Sequence, residues 1–149
     1  MALLDHIFKA PAPQQAASVL DLKFSRKPNA ALAVPSGALP ADTLKMVTME
    51  TAPYSAPADD LMGSIRDALS ERETLVNRVD FGEQPGGVFT VRTPLMRYPD
   101  LCYVSIQPGP NAEQQSLLMY SHSVYGHSDL GANAKRLQDI LNALKPALV

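Results

Sequence analysis

Tyr120-Ser-His-Ser-Val-Tyr-Gly-His-Ser-Asp-Leu-Gly-Ala-Asn133 runs from a strand, through a glycine turn, into the head of a helix. In the strand, side chains alternate between two faces: Leu118, Tyr120, His122 and Val124 on one, Leu117, Met119, Ser121 and Ser123 on the other. Gly126 interrupts the alternation, and beyond Asp129 the apolar spacing changes. Leu130, Ala134, Leu137, Leu141, Leu144 and Leu148 recur at threes and fours, the stripe of an amphipathic helix over about 130–145. Lys135, Arg136, Gln138 and Asp139 are expected on its solvent side. Burying the stripe on a sheet supplies on the order of 10 kcal/mol gross, at ~1.5–3 kcal/mol per side chain. Ordering the chain offsets most of it.

Working upstream, residues 115–125, 101–107, 87–93 and 74–81 read as strands. The connections between them hold Gly82-Glu-Gln-Pro-Gly86, Arg97-Tyr98-Pro99-Asp100 and Pro108-Gly109-Pro110-Asn111, too short for parallel crossovers. The neighbours therefore pair antiparallel. Leu61, Ile65 and Leu69 give a helix over about 57–70, with Pro57, Asp59 and Asp60 suited to its first turn and Glu71-Arg72-Glu73 closing it in solvent. Alternation from Thr43 to about Glu50 suggests a first strand. The expected fold is α+β: an antiparallel sheet of four to six strands with two main helices, about 57–70 and 130–145, packed on one face.

Seven of the thirteen prolines (Pro11, Pro13, Pro28, Pro35, Pro40, Pro53 and Pro57) lie in the first 60 residues, where they remove backbone donors and disfavour long elements. Residues 1–42 are expected to form an irregular Pro/Ala-rich arm, with a short helical turn near 14–22, ahead of a single α+β domain over 43–149. At 149 residues and 46% hydrophobic content the chain can bury a core, and a net charge of −2 argues against nucleic acid as a partner. No run approaches the ~20 apolar residues of a membrane span, and the first residues lack the form of a secretory leader. The one cysteine, Cys102, has no intrachain partner, in keeping with a reducing compartment. Cytoplasm is the default expectation.

Arg92-Thr-Pro-Leu-Met-Arg-Tyr-Pro-Asp100, Tyr103-Val-Ser-Ile106 and the stretch from Tyr120 to Asn133 resemble the bacterial and plastid family catalogued as domain of unknown function 1499. Arg26-Lys-Pro-Asn29 is similar to that family's short Pro-Asn motif, so the likeness covers residues 25–145. In such members a cysteine often follows the Pro-Asn pair; here Ala30-Ala-Leu-Ala-Val-Pro-Ser36 has none. The resemblance implies one domain and no particular chemistry.

Cys102, Val104 and Ile106, with Phe89 and Val91, are expected on one sheet face, and Arg92, Tyr103, Tyr120 and His122 on the other, less covered one. A cationic and aromatic face of this kind can take a planar or anionic small molecule or a partner protein. The candidate binding residues are Arg92, Arg97, Tyr103, Tyr120, His122, Tyr125 and His127. Asp129 is suited to accept amide hydrogens at the helix start, Gly131 to allow close backbone approach, and Asn133 to bond a neighbouring loop. With Asp100, expected to satisfy turn amides, and Gly126, they form a structural motif. Arg97 is expected to pair with Asp100 or Asp129. No metal set, catalytic set or cofactor motif is legible. The reading is a non-catalytic binding or interaction domain, for a small molecule or self-association. The alternative is a small hydrolase- or isomerase-type enzyme using His122 or His127 as acid or base.

Overall fold

A computed structural model describes residues 3–40, 46–70 and 75–149. Four long strands form the expected meander: β3 (Leu75–Val79), β4 (Gly86–Arg92), β5 (Pro99–Pro108) and β6 (Gln115–Ser123), each antiparallel to the next. Two further strands lie beyond β6. The first, β1 (Ala30–Pro35), runs antiparallel to β6; the second, β2 (Met49–Thr51), runs parallel to β1. The sheet order is β2-β1-β6-β5-β4-β3.

Among the described residues three α-helices accompany it: α1 (Leu3–Ile7), α2 (Ala58–Ser70) and α3 (Ala132–Ala143). Pro57 opens α2, its carbonyl taking the amides of Asp60 and Leu61. Leu61, Ile65 and Leu69 are buried and face Phe89, Val91, Cys102, Val104 and Ile106, while α3 adds Leu137, Ile140 and Leu144 to the same core. Alternation along β5 and β6 sends Leu101, Tyr103, Leu118 and Tyr120 to the opposite face. That face is not open. Val19, Leu22 and Phe24 of the N-terminal segment cover it.

Some expectations change. Ala30–Pro35 is a strand inside the sheet, so the segment before residue 43 is not irregular throughout. Alanine is a weak strand former, and β1 is held by partners ninety residues away. Of the strand expected over 43–50, only Met49 and Glu50 belong to one; residues 43–45, like the helix end at Glu71-Arg72-Glu73, lie outside the described residues. The helical turn in the arm is a 3-10 turn at Val19–Asp21, capped by the Ser18 hydroxyl. The α3 stripe is also redrawn. Leu130 is 96% exposed, and the buried positions are Asn133, Arg136, Leu137 and Ile140.

Candidate functional site

At the head of α3, Leu130 and Gly131 take left-handed conformations, with φ of 52° and 84°. A side chain at Gly131 would meet nothing within 4 Å, so the glycine serves its backbone angle and not the close approach expected of it. Asp129 accepts the Gly131 amide (2.8 Å), the Asn133 amide (3.0 Å) and Asn133 Nδ2 (2.8 Å). Partial burial pushes this carboxyl up, but the amide bonds together outweigh it and hold it below the usual range.

Asn133, fully buried, ties the region together. Its Nδ2 also reaches the Asn29 carbonyl (3.1 Å) and Ser123 Oγ (3.0 Å). Its Oδ1 accepts from Ser121 Oγ and Arg136 Nη1, both at 2.6 Å. Arg136 is buried and donates from Nη2 to Asp100 Oδ2 at 2.8 Å. Two expectations fail here: Arg136 does not face solvent, and among the described residues the Asp100 carboxylate meets Arg136 and not a turn amide. Asp100 shares the covered face with Cys102, and the guanidinium folds inward to meet it. Burial raises the Asp100 carboxyl, and Arg136 opposes that rise. Asn29 donates to the Gly126 carbonyl (3.1 Å), where φ is 91°, and accepts from Ser25 Oγ (2.7 Å). Asn29 and Arg136 were missed as members of the network; the Pro-Asn motif was the only signal for the first.

On the other face, Tyr103, Tyr120 and His122 form a ladder of stacked rings, with centroids 5.2–6.1 Å apart. Three hydroxyls beside it receive arm amides. Gln14 N–H donates to Tyr103 Oη (2.9 Å), Val19 N–H to Ser105 Oγ (3.4 Å) and Ser25 N–H to Tyr120 Oη (2.6 Å). The arm thus lies on the sheet with these three amides satisfied by side-chain hydroxyls, not by a strand. Gly82 permits the approach: a side chain there would fall 2.3 Å from the Ala17 carbonyl oxygen. Tyr103 and Tyr120 are buried beneath the arm. Gly82→Ala is expected to loosen the arm and destabilise the fold by about 1–3 kcal/mol, through overpacking at a positive φ, as read by urea denaturation.

Arg92, Arg97 and Tyr125 gather elsewhere, around the first residues of the chain. Arg97, at φ 59°, is held in a turn by its amide to the Thr93 carbonyl and the Thr93 amide to the Tyr98 carbonyl. Such a conformation costs a non-glycine residue about 1–2 kcal/mol. The guanidinium forks onto Asp5, Nε to Oδ1 at 2.8 Å and Nη2 to Oδ2 at 3.1 Å. Asp5, and not the expected Asp100 or Asp129, is therefore its partner. This hydrogen-bonded pairing holds the Asp5 carboxyl below the usual range and raises Arg97. A depressed carboxyl contributes above its unfolded value and is lost as pH falls through the folded one, so the contact persists at neutral pH. Arg92, nearly buried, donates to the carbonyls of Phe8 (2.7 Å) and Arg97 (2.9 Å).

His127 is exposed. His122 is half-buried, and its Nδ1 lies 3.2 Å from the Ser123 carbonyl, with no carboxylate or hydroxyl in bonding distance among the described residues. Burial holds the imidazole below its ordinary value. For a base, that sign removes stability as pH falls through the unfolded value of about 6.5. The urea midpoint is accordingly expected to drop between pH 7.5 and 5.5, and His122→Phe to flatten the slope; a slope identical in the variant would show that the ring stack does not keep His122 neutral. Burial pushes the Cys102 thiol up to about 11, so it is no nucleophile. Among the described residues, no group of three or more His, Cys, Asp or Glu could hold a metal ion, and no helix is long and apolar enough to cross a membrane.

A cleft of about 720 Å³ opens between residues 24–28, β1 and Met46 with Thr48. Phe24, Leu32 and Tyr120 form its apolar wall, and Arg26 and Lys27 stand at its exposed side. Of the binding candidates, only Tyr120 lines it.

The fold defines a mostly antiparallel α+β domain with α2 and α3 on one face and the N-terminal arm on the other. Its sequence matches, over residues 23–144, the family described as protein of unknown function DUF1499, and the chain belongs to that family. No curated protein matches. Among solved structures, a Deinococcus radiodurans protein is similar at 14% identity and a TM-score of 0.36, covering 64% of this chain and 91% of its own.

Proposed function

We propose that this domain is a non-catalytic binding module for a small anionic molecule with a planar or apolar body, held in the cleft beside Tyr120. The carrying observation is the pairing of two cations, Arg26 and Lys27, with the Phe24 and Tyr120 rings around one opening of about 720 Å³. That volume suits a small-molecule site, which combines apolar walls with a few charged groups that fix orientation. The space between sheet and C-terminal helix is instead filled by Leu137, Ile140 and Leu144. His122, without a carboxylate or hydroxyl in bonding distance among the described residues, and a fully buried thiol are consistent with binding.

The chain has no tryptophan, so an extrinsic dye reports without interference. Anilinonaphthalene sulfonate, a planar apolar body bearing one anion, is expected to bind the folded protein. The double change Arg26→Ala/Lys27→Ala should weaken it about tenfold, near 1.4 kcal/mol, while leaving the unfolding midpoint in place. Equal dye affinity in the double variant would remove the cleft as the site. Native mass spectrometry of protein from its own host then asks which molecule is retained.

A further inference from the structure

We propose that Arg92, Arg97, Tyr98 and Tyr125 form a peptide-recognition site for a helical turn carrying aspartate and phenylalanine three residues apart on a partner protein. The chain's own first turn fills that site in cis. Among the described residues, no α1 side chain joins either apolar core. None of its residues is buried, and Leu3 and Ile7 are 73% and 56% exposed. Five residues are too few for a helix to persist unaided.

What holds this segment is a set of ligand-like contacts. The Asp5 carboxylate takes the two-pronged guanidinium of Arg97, and the Phe8 carbonyl takes Arg92 Nη1 at 2.7 Å. The Phe8 ring lies edge-on to Tyr98 (centroids 4.7 Å) and Tyr125 (5.3 Å), while Tyr125 Oη donates to the Lys9 carbonyl at 3.2 Å. Asp5 and Phe8 stand at i and i+3, one side of a single turn. One carboxylate, two backbone carbonyls and one ring are thus recognised.

The receiving side is built independently of its occupant. The Arg97 turn closes on Thr93 and Tyr98, and Arg92 is braced against the Arg97 carbonyl. The Arg92 side chain is only 7% exposed, yet its Nε has no hydrogen-bond partner among the described residues and lies 3.9 Å from the same carboxylate. A ligand carboxylate set slightly deeper would use it. Leu95 and Met96, on the same turn as Arg97, are 84% and 39% exposed. The tether Lys9-Ala-Pro-Ala-Pro13 leads to the next anchor at Gln14 and keeps the cis segment at high local concentration. Binding in trans therefore requires the segment to be displaced.

The test uses the full chain and a fluorescein-labelled peptide with the sequence of residues 3–10, Leu-Leu-Asp-His-Ile-Phe-Lys-Ala. The variant Asp5→Asn/Phe8→Ala vacates the site and is expected to bind the peptide at least about tenfold more tightly than the wild type, by anisotropy. The same peptide with asparagine for its aspartate should lose that gain, a control that leaves the protein's own arginines untouched. Equal binding by vacated and wild-type protein, or undiminished binding of the asparagine peptide, would overturn the site. So would a wild-type dimer that Asp5→Asn converts to monomer, since the occupant would then be a second copy.

Discussion

Arg136→Ala is expected to destabilise the domain by about 3–5 kcal/mol, the cost of breaking a buried ion pair from one side. Arg136 and Asp100 are 7% and 2% exposed at their side chains and meet at 2.8 Å between α3 and the sheet. Removing the guanidinium leaves the Asp100 carboxylate without its counter-charge, and Asn133 Oδ1 and Ser121 Oγ each lose a donor. The penalty comes mostly from the stranded carboxylate, not from the net worth of the pair. The joint exchange Asp100→Leu/Arg136→Met should therefore recover much of the loss. Urea denaturation at pH 7 checks both. A loss below about 1 kcal/mol, the range of exposed pairs, would place this pair effectively in solvent. The pH dependence carries a sign of its own. Because burial raises the Asp100 carboxyl, its contribution is full below the unfolded value and lost as pH rises through the folded one, opposite to Asp5 and Asp129.

Tyr103→Ala is the second large effect, again about 3–5 kcal/mol, as for deleting a buried aromatic ring. The ring is 1% exposed, packs edge-on against Phe81 (5.3 Å) and stacks with Tyr120 and His122. Its hydroxyl also holds the Gln14 amide, so the loss reaches the arm. Amide exchange over residues 14–25 should speed up in Tyr103→Ala well beyond the rest of the sheet. Tyr103→Phe separates the parts: it keeps the ring, costs about 1 kcal/mol, and should accelerate exchange chiefly at Gln14. Protection of the arm unchanged in both variants would mean that the hydroxyl row does not hold it.

The meander and both long helices were legible because each is written locally. Leu61, Ile65 and Leu69 show one helical face by spacing alone, and alternation along β5 and β6 assigned Cys102, Val104, Tyr103 and Tyr120 to their faces. β1 was not legible, since Ala30-Ala-Leu-Ala-Val-Pro35 has little intrinsic strand preference and is ordered by β6 and β2. The binding candidates divided for a similar reason. Arg92, Arg97 and Tyr125 found the first turn of the chain, Tyr103 and Tyr120 found the arm, and the cleft recruited Arg26 and Lys27, which no periodicity singles out.

Arg136 marks the boundary between the two kinds of information. Taken alone, the order of residues determined the α+β class, the antiparallel meander and the apolar stripe of α2, because hydrophobic periodicity depends on neighbours three or four positions apart. Only tertiary structure decided that a charged residue on that helix turns inward, that an aspartate from the first turn meets Arg97, and that an arm covers the aromatic face. Each depends on a partner tens of residues distant: 36 positions for Arg136 with Asp100, 92 for Arg97 with Asp5 and 89 for Gln14 with Tyr103. A charge pattern cannot reveal such a partner, since the energy that buries the group arises only when the two meet.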